Sequence, residues 1–282
     1  MPAAGKSNSS GDLAYLIAAG ARRYRWAAWW AVRALRRLGD FRGEIVVLSD
    51  RRYEFGEYAR CMVVPTAVSP DGAKVLKLRA REHIDFAAYQ RVLFVDCDIV
   101  VARTLEGLMA QARREHALVA TDDLRQRVGV GANWRCLDRA EIDANASRLA
   151  ANSGCFAAPG SALAGWLESW EDVLEASHDR QGPGFDQPGL NACMVREIFP
   201  VRLEPGLMWF PKLDPERKLC DADPALAHFH GIDRHINRLW RMRSYAMRRE
   251  RENTRGSRIP VLSGGDAVLT DPRPVGAPTS AQ

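Results

Sequence analysis

Eleven residues of the chain, Arg91 to Val101 (RVLFVDCDIVV), constrain its fold more than any other stretch. Val92–Val95 is apolar at every position, as expected of a central strand covered on both faces. It ends abruptly in Asp96-Cys97-Asp98. In a parallel sheet the carboxyl ends of strands are where ligands bind. Two carboxylates at i and i+2 leave a strand on the same face, where their repulsion is costly unless a cation sits between them. Carboxylate oxygens suit Mg²⁺ or Mn²⁺, each of which can also hold a diphosphate. The stretch therefore reads as a divalent metal clamping a phosphorylated substrate. The alternative is a pair of solvated turn aspartates.

The flanking sequence supports a parallel sheet. Leu13–Ala19 reads as a strand, and Tyr24–Leu38 as a helix with Trp26, Trp29, Trp30, Ala34 and Leu38 at spacings of three to four. Glu44–Leu48 is a second strand, so the first fifty residues form a β-α-β unit. A helix is expected over Lys74–Tyr89 ahead of the acidic strand. Leu105–Glu115 is a further helix, Leu118–Thr121 and Asn152–Ala158 are short strands, and Leu163–Ser177 and Gly189–Arg196 are helices. At 282 residues the chain suits one large α/β domain. Residues 1–11 are polar and small and read as disordered. The last 24 residues, 259–282, hold four Pro and three Gly and read as a flexible tail.

Charge is unevenly placed. The net charge is +5, yet Arg234–Arg258 carries nine Arg against Glu250 and Glu252, or +7, which leaves −2 for the rest. A uniformly basic nucleic-acid-binding domain is therefore not expected. From Ile232 to Arg251 the residues Ile232, Ile236, Leu239, Trp240 and Met247 fall on one helical face, with Arg234, Arg238, Arg241, Arg248 and Arg249 on the other. Residues 235–258 thus read as a basic amphipathic helix. No apolar run reaches the ~18 residues of a membrane span. Six cysteines without a CxxC pair fit a reducing cytoplasm.

Three further motifs follow Asp96-Cys97-Asp98 in order: Asn152-Ser153-Gly154, Asp186-Gln187 with Asn191, and His228-Phe229-His230-Gly231-Ile232-Asp233-Arg234. Together with the β-α-β start, this series over residues 13–234 resembles the GT-A glycosyltransferases, and within them glycosyltransferase family 8, the group of glycogenin and bacterial lipopolysaccharide hexosyltransferases. The resemblance implies a GT-A type α/β domain over 12–234, with a Rossmann-like, mainly parallel sheet flanked by helices. It implies Mn²⁺ (or Mg²⁺) as cofactor and a nucleotide sugar, a UDP-sugar, as donor. The acceptor would be a glycan, a lipid-linked glycan or a protein, and the anomeric configuration would be retained.

The same resemblance distributes roles. Asp96, Asp98 and His228 would hold the metal, with Asp96 also near the ribose. Asp186 would hydrogen-bond the hydroxyls of the transferred sugar, with Gln187 close to its anomeric carbon. Asn152 and Gly154 would line the donor sugar, and Gly231 belongs to the loop that covers the donor. Arg234 stands where the family has a diphosphate-contacting Lys, and the Pro-Trp that follows in the family is absent. Lys77 lies where family members carry a basic residue near the donor, and Tyr24 is placed to stack on the nucleobase. Asp122 and Asp123 follow another short strand and read as a surface turn, the alternative being a contact with the acceptor or donor sugar.

Two rival readings stay open on sequence. Asp96-Cys97-Asp98-Ile99-Val100 also fits the nucleophile motif of haloacid-dehalogenase-like phosphatases, with Gly265-Asp266 and Asp271 imitating their distal motif. That family begins with its acidic strand, whereas here a β-α-β unit precedes it. The other rival is a non-catalytic binder whose basic helix grips membrane or nucleic acid. Behind a glycosyltransferase domain, the same helix suits docking on an anionic membrane surface from the cytoplasmic side.

Overall fold

The computed structural model describes residues 11–65, 70–127, 134–177, 186–211, 224–230 and 235–256. The readings of residues 1–10 and 259–282, and those of Gly231 and Arg234, lie outside the described residues. The expected β-α-β start is present: β1 (Asp12–Ile17), α1 (Arg22–Arg37) and β2 (Glu44–Ser49), with β1 and β2 parallel. β3 (Arg60–Val63) adds to β2, and β4 (Arg91–Val95) pairs with β1, both parallel. β7 (Leu149–Pro159) runs antiparallel between β4 and β6 (Leu118–Arg127), and β8 (Val201–Glu204) closes the edge parallel to β6. The seven-stranded order is β3-β2-β1-β4-β7-β6-β8. β4 therefore lies centrally, which is why Val92–Val95 tolerates no polar residue: all four are fully buried.

A second, three-stranded sheet grows out of the acidic strand. β5 (Ile99–Val101) follows Asp98 directly and pairs antiparallel with β10 (Leu226–His228), which pairs in turn with β9 (Met208–Trp209). The helices α2 (Pro70–Arg79), α3 (Glu106–Glu115), α4 (Arg139–Ala144), α5 (Gly160–Ala176), α6 (Gln187–Val195) and α7 (His235–Gly256) complete the described elements.

Three helical expectations change. The helix expected to run to Tyr89 ends at Arg79 and continues as two short 3-10 turns, Ala80–Glu82 and Phe86–Ala88. Ile84 and Phe86 are two residues apart and cannot share one helical face, yet both are buried because the chain leaves the helical path. In α1 the buried face is the alanine side (Ala27, Ala28, Ala31, Ala34 with Val32 and Leu35), while Trp26 is exposed and Trp29 and Trp30 are half-buried. Small side chains let this helix approach the sheet closely, and Trp30 packs at the edge of the cluster that also holds Met242, Tyr245 and Ala246 of α7.

The buried face of α7 is also rotated from the one the sequence suggests. Met242, Tyr245 and Ala246 are buried against Ala27, Ala34, Trp209 and Phe229, whereas Trp240 is 66% exposed. The Arg33 guanidinium of α1 grips Glu250 through two hydrogen bonds of 2.8 and 2.7 Å. Arg238, expected on the solvent side, turns inward. Among the described residues no helix is long and apolar enough to cross a membrane.

Candidate functional site

The ends of β4, β6 and β10 and the start of α6 bring the sequence motifs together. Asp96 leaves β4 with its backbone N–H donating to Gly154 O at 2.7 Å, which fixes Gly154 of the antiparallel β7 beside it. A turn follows, closed by Ile99 N–H on Asp96 O at 3.0 Å. The β5–β10 register then places His228 opposite Ile99, with Phe229 N–H on Asp98 O. The small sheet thus carries His228, 130 residues away in the chain, onto Asp98: His228 Nε2 lies 3.3 Å from Asp98 Oδ1.

Gly154 sits where three side chains converge. A Cβ there would lie 2.9 Å from Asn152 Oδ1, 3.0 Å from Asp96 Oδ2 and 3.2 Å from His228 Cε1. Any side chain would push apart the residues that the sequence assigns to metal and donor. His230 joins Asp98 and His228, the three offering donor atoms that all lie within 4.8 Å of one another.

Next to this cluster lies a buried acid-base network. Lys77 is only 3% exposed, so it is neither a solvated lysine nor an open donor grip. Its Nζ bonds the Asp186 carboxylate and Ser153 O, lies 3.6 Å from Asp96 Oδ1, and stands 4.4 Å above the Phe94 ring. Asp186 precedes α6 but makes no side-chain capping bond; its carboxylate is turned to Lys77, and Trp170 Nε1 donates to its carbonyl.

Gln187 is held at both ends: Nε2 donates to Asp123 Oδ2 at 3.0 Å, and Oε1 accepts from Ser153 N–H at 3.2 Å. Asn152 Nδ2 also donates to Asp123. Asp122 and Asp123 are buried inside β6 and not on a surface turn. Asp123 thus joins the cluster from β6, one strand beyond β7, where the sequence favours a surface turn over a contact with sugar. Asn191, one helical turn after Gln187, bonds both Ala151 N–H and Ala151 O and ties α6 to β7.

Two more residues enter from regions read otherwise. Arg238 of α7 lies 3.3 Å from Asp98 Oδ2, the oxygen opposite the one facing His228. His230 follows His228 by two residues. The carboxylates Asp96, Asp98, Asp123 and Asp186 face the cations Lys77 and Arg238, and Lys74 adds positive charge near Asp186. Tyr24 stays in the first turn of α1, half-buried, with the Arg23 guanidinium 5.1 Å from its ring centre. Among the described residues no contact joins Tyr24 to the cluster.

Titration follows this layout. Burial pushes Asp96 up to about 6; Lys77 opposes the rise, while Asp98 and Asp186 add to it. For Asp98 burial acts upward too, but His228 and Arg238 outweigh it and hold the carboxyl far below its usual range. Burial alone would lower Lys77 and raise Asp186; their mutual attraction reverses both. His228 is raised because Asp98 outweighs its burial.

A divalent ion fits these residues. The donors are carboxylate oxygens and imidazole nitrogens, the chemistry that Mn²⁺ and related ions accept. Nδ1 of His228, a residue only 6% exposed, has no hydrogen-bond partner among the described residues. An orphaned buried nitrogen costs about 1–3 kcal/mol, and a ligated ion is one answer to it.

No family model matches the sequence, and no curated protein matches it either. Solved structures do. The galactosyltransferase LgtC in complex with donor and acceptor sugar analogues matches at TM-score 0.55 and 16% identity, covering 84% of this chain and 95% of LgtC. An active-site mutant of LgtC, with glutamine replaced by glutamate, matches at the same TM-score and identity over 83% and 95%. The acidic strand is preceded by β1, β2 and β3 in the same sheet, so the phosphatase arrangement is not the one observed. The chain has the GT-A fold, and the galactosyltransferase LgtC is among its structural neighbours.

Proposed function

We propose that the chain is a metal-dependent glycosyltransferase that moves a hexose from a nucleotide diphosphate sugar, a UDP-sugar, to a glycan, lipid-linked or protein acceptor with retention of configuration. The observation that carries this reading is the convergence of Asp96, Asn152 and His228 on Gly154, beside Asp98 and at the carboxyl end of the central strand. LgtC, with the same fold, binds donor and acceptor sugar analogues and has a glutamine in its active site.

Asp96, Asp98 and His228 would hold Mn²⁺ or Mg²⁺, which supplies positive charge to a departing diphosphate. The chain's own groups then have distinct tasks. Lys77 fixes the Asp186 carboxylate, leaving it positioned toward sugar hydroxyls. Asp123 and Ser153 lock the Gln187 amide, so it presents one orientation and needs no reorganisation as the anomeric bond breaks. Gly154 gives the donor sugar room beside Asn152. Tyr24, Gly231 and Arg234 complete the donor site in this reading, with Arg234 as a bidentate partner of the diphosphate.

In this reading the catalytic unit spans 12–234 and the helix of 235–258 docks it on an anionic membrane surface at the cytoplasmic face. Trp240, Arg241, Arg243, Arg248 and Arg251 are exposed on α7, an aromatic among cations as interfacial binding requires. Sedimentation with liposomes should depend on anionic lipid.

The decisive test is thermal stabilisation and hydrolysis. A panel of nucleotide sugars with Mn²⁺ should raise the melting temperature for at least one UDP-sugar, and that sugar should be slowly hydrolysed without acceptor. Asp98→Ala should abolish both. Turnover unaffected by Asp98→Ala would refute the proposal.

A further inference from the structure

The donor set contains one imidazole more than the motif series calls for. His228 ends β10 and His230, exposed, follows just beyond it, their ring centroids 5.5 Å apart. Between them Phe229 points into the cluster with Trp209 and Tyr245. Phe210 backs the His228 ring at 5.0 Å. The pair is therefore built: the apolar residue between the two histidines anchors the strand end, and the rings stand together over Asp98.

We propose that His230 is a metal ligand of this chain, so that the ion is held by Asp98, His228 and His230 together with Asp96, a site of two imidazoles and two carboxylates. The inference rests on the glycosyltransferase reading for the ion and goes beyond it in the ligand set and in the cations the site favours. The geometry carries it in three ways. Donor atoms of Asp98, His228 and His230 all lie within 4.8 Å of one another. Atoms each about 2.1 Å from one ion lie at most about 4.2 Å apart, so the set closes with a shift of roughly half an ångström. The second observation is His228 Nδ1, buried without a partner among the described residues.

The third is the division of Asp98. Arg238 takes Oδ2 and leaves Oδ1 to the imidazole side, at 3.3 Å from each neighbour. The guanidinium thus holds the carboxylate by its far oxygen and orients the near one, as outer partners of metal ligands do.

A second imidazole changes selectivity. Imidazole nitrogen suits Zn²⁺, Co²⁺ and Ni²⁺ better than Mg²⁺ or Mn²⁺, which prefer oxygen donors. This chain should therefore bind Co²⁺ and Zn²⁺ more tightly than Mn²⁺ by a margin that depends on His230.

The test uses the full-length protein, freed of metal by chelation, and calorimetric titration with Co²⁺, Zn²⁺ and Mn²⁺, with the visible absorption of bound Co²⁺ as a second readout. His230→Gln should weaken Co²⁺ and Zn²⁺ binding by about 10–100-fold, the range seen when support for a metal site is lost. Mn²⁺ binding should change by much less, and the Co²⁺ band should shift. Unchanged affinities and an unchanged Co²⁺ spectrum in His230→Gln would overturn the proposal. Asp98→Ala and His228→Ala serve to separate the two readings. If these abolish binding while His230→Gln does not, only the fourth ligand is wrong. If none of the three matters, the metal centre itself is wrong, and this inference falls with it.

Discussion

Replacing Gly154 by alanine tests the site by a single methyl group. The added Cβ would meet Asn152 Oδ1 at 2.9 Å, Asp96 Oδ2 at 3.0 Å and His228 Cε1 at 3.2 Å, all inside ordinary contact distance. Each neighbour must retreat by several tenths of an ångström, and the three retreat from one another. Gly154 has no left-handed backbone conformation, so strain of the main chain adds nothing. Overpacking costs about 1–3 kcal/mol, and the loss of glycine's freedom in the unfolded chain returns about 0.4–1 kcal/mol. The net is about 0.5–2 kcal/mol, a fall of a few degrees in melting temperature for a domain of this size. Function should suffer more than stability: a displacement of about 1 Å at a reacting centre costs about 100-fold, and shifts of a few tenths of an ångström at three groups should cost about 10-fold. Gly165→Ala is the control: it lies in α5 with nothing within 4 Å of its Cβ and should stabilise by up to ~1 kcal/mol. Thermal unfolding and Mn²⁺ titration of both variants separate the two effects. A Gly154→Ala protein that binds Mn²⁺ and turns over a UDP-sugar like the parent would refute the convergence as the organising feature of the site.

Two further outcomes follow from the buried charges. Lys77→Met leaves Asp186 buried without its cation and should cost about 3–5 kcal/mol, whereas Lys77→Met with Asp186→Asn should recover part of the loss, since only the less buried Asp96 is then left without Lys77. Urea unfolding of the single and double variants measures this, and equal stabilities would contradict it. Asp96, raised from 3.8 to about 6, binds its proton more tightly when folded. Its contribution to stability is therefore full below pH 3.8 and is lost as pH rises through 6. Asp98, depressed, behaves oppositely: its contribution is present above pH 3.8 and lost as pH falls. In metal-free protein, Asp96→Asn should gain stability relative to the parent between pH 4 and 7. The rise in melting temperature caused by Mn²⁺ should grow across pH 6, where the ion no longer competes with the Asp96 proton. A stability difference that stays flat between pH 4 and 7 would show that Asp96 is not perturbed.

The parts of the fold legible in sequence are those where one local rule dominates. Val92–Val95 is apolar throughout because β4 has neighbours on both edges and layers on both faces, and nothing but burial decides its composition. Asp96 and Asp98 are legible for the same reason, as charges at the end of a run that excludes them. Lys77 was legible as a cation ahead of the acidic strand but not as a buried one, because its cost of burial is offset by Asp96 and Asp186, which are 19 and 109 residues away. The Asn191 bonds to Ala151 depend on a register shift between β6 and β7 near Thr121, which no local pattern announces.

The C-terminal helix shows most clearly how such a reading goes astray. Helical periodicity placed Trp240 inside and Arg238 outside; the structure does the reverse. The apolar side that α1 offers is shallow, made by Ala27 and Ala34 between half-buried tryptophans, and it accepts the small Ala246 with Met242 and Tyr245 better than an indole. Once those three face α1, the helix turn brings Arg238 over Asp98, where a carboxylate next to a second carboxylate already favours a cation. Packing against alanines thus fixes the rotation, and the rotation delivers an arginine to the site. The +7 segment is not wholly a surface feature: Glu250 ties it to Arg33, Arg238 serves Asp98, and among the described residues Arg241, Arg243, Arg248 and Arg251 are exposed toward an external partner. A variant that neutralises those four exposed arginines should therefore lose membrane docking while keeping the Asp98 contact, whereas Arg238→Met should loosen the metal centre and leave docking in place.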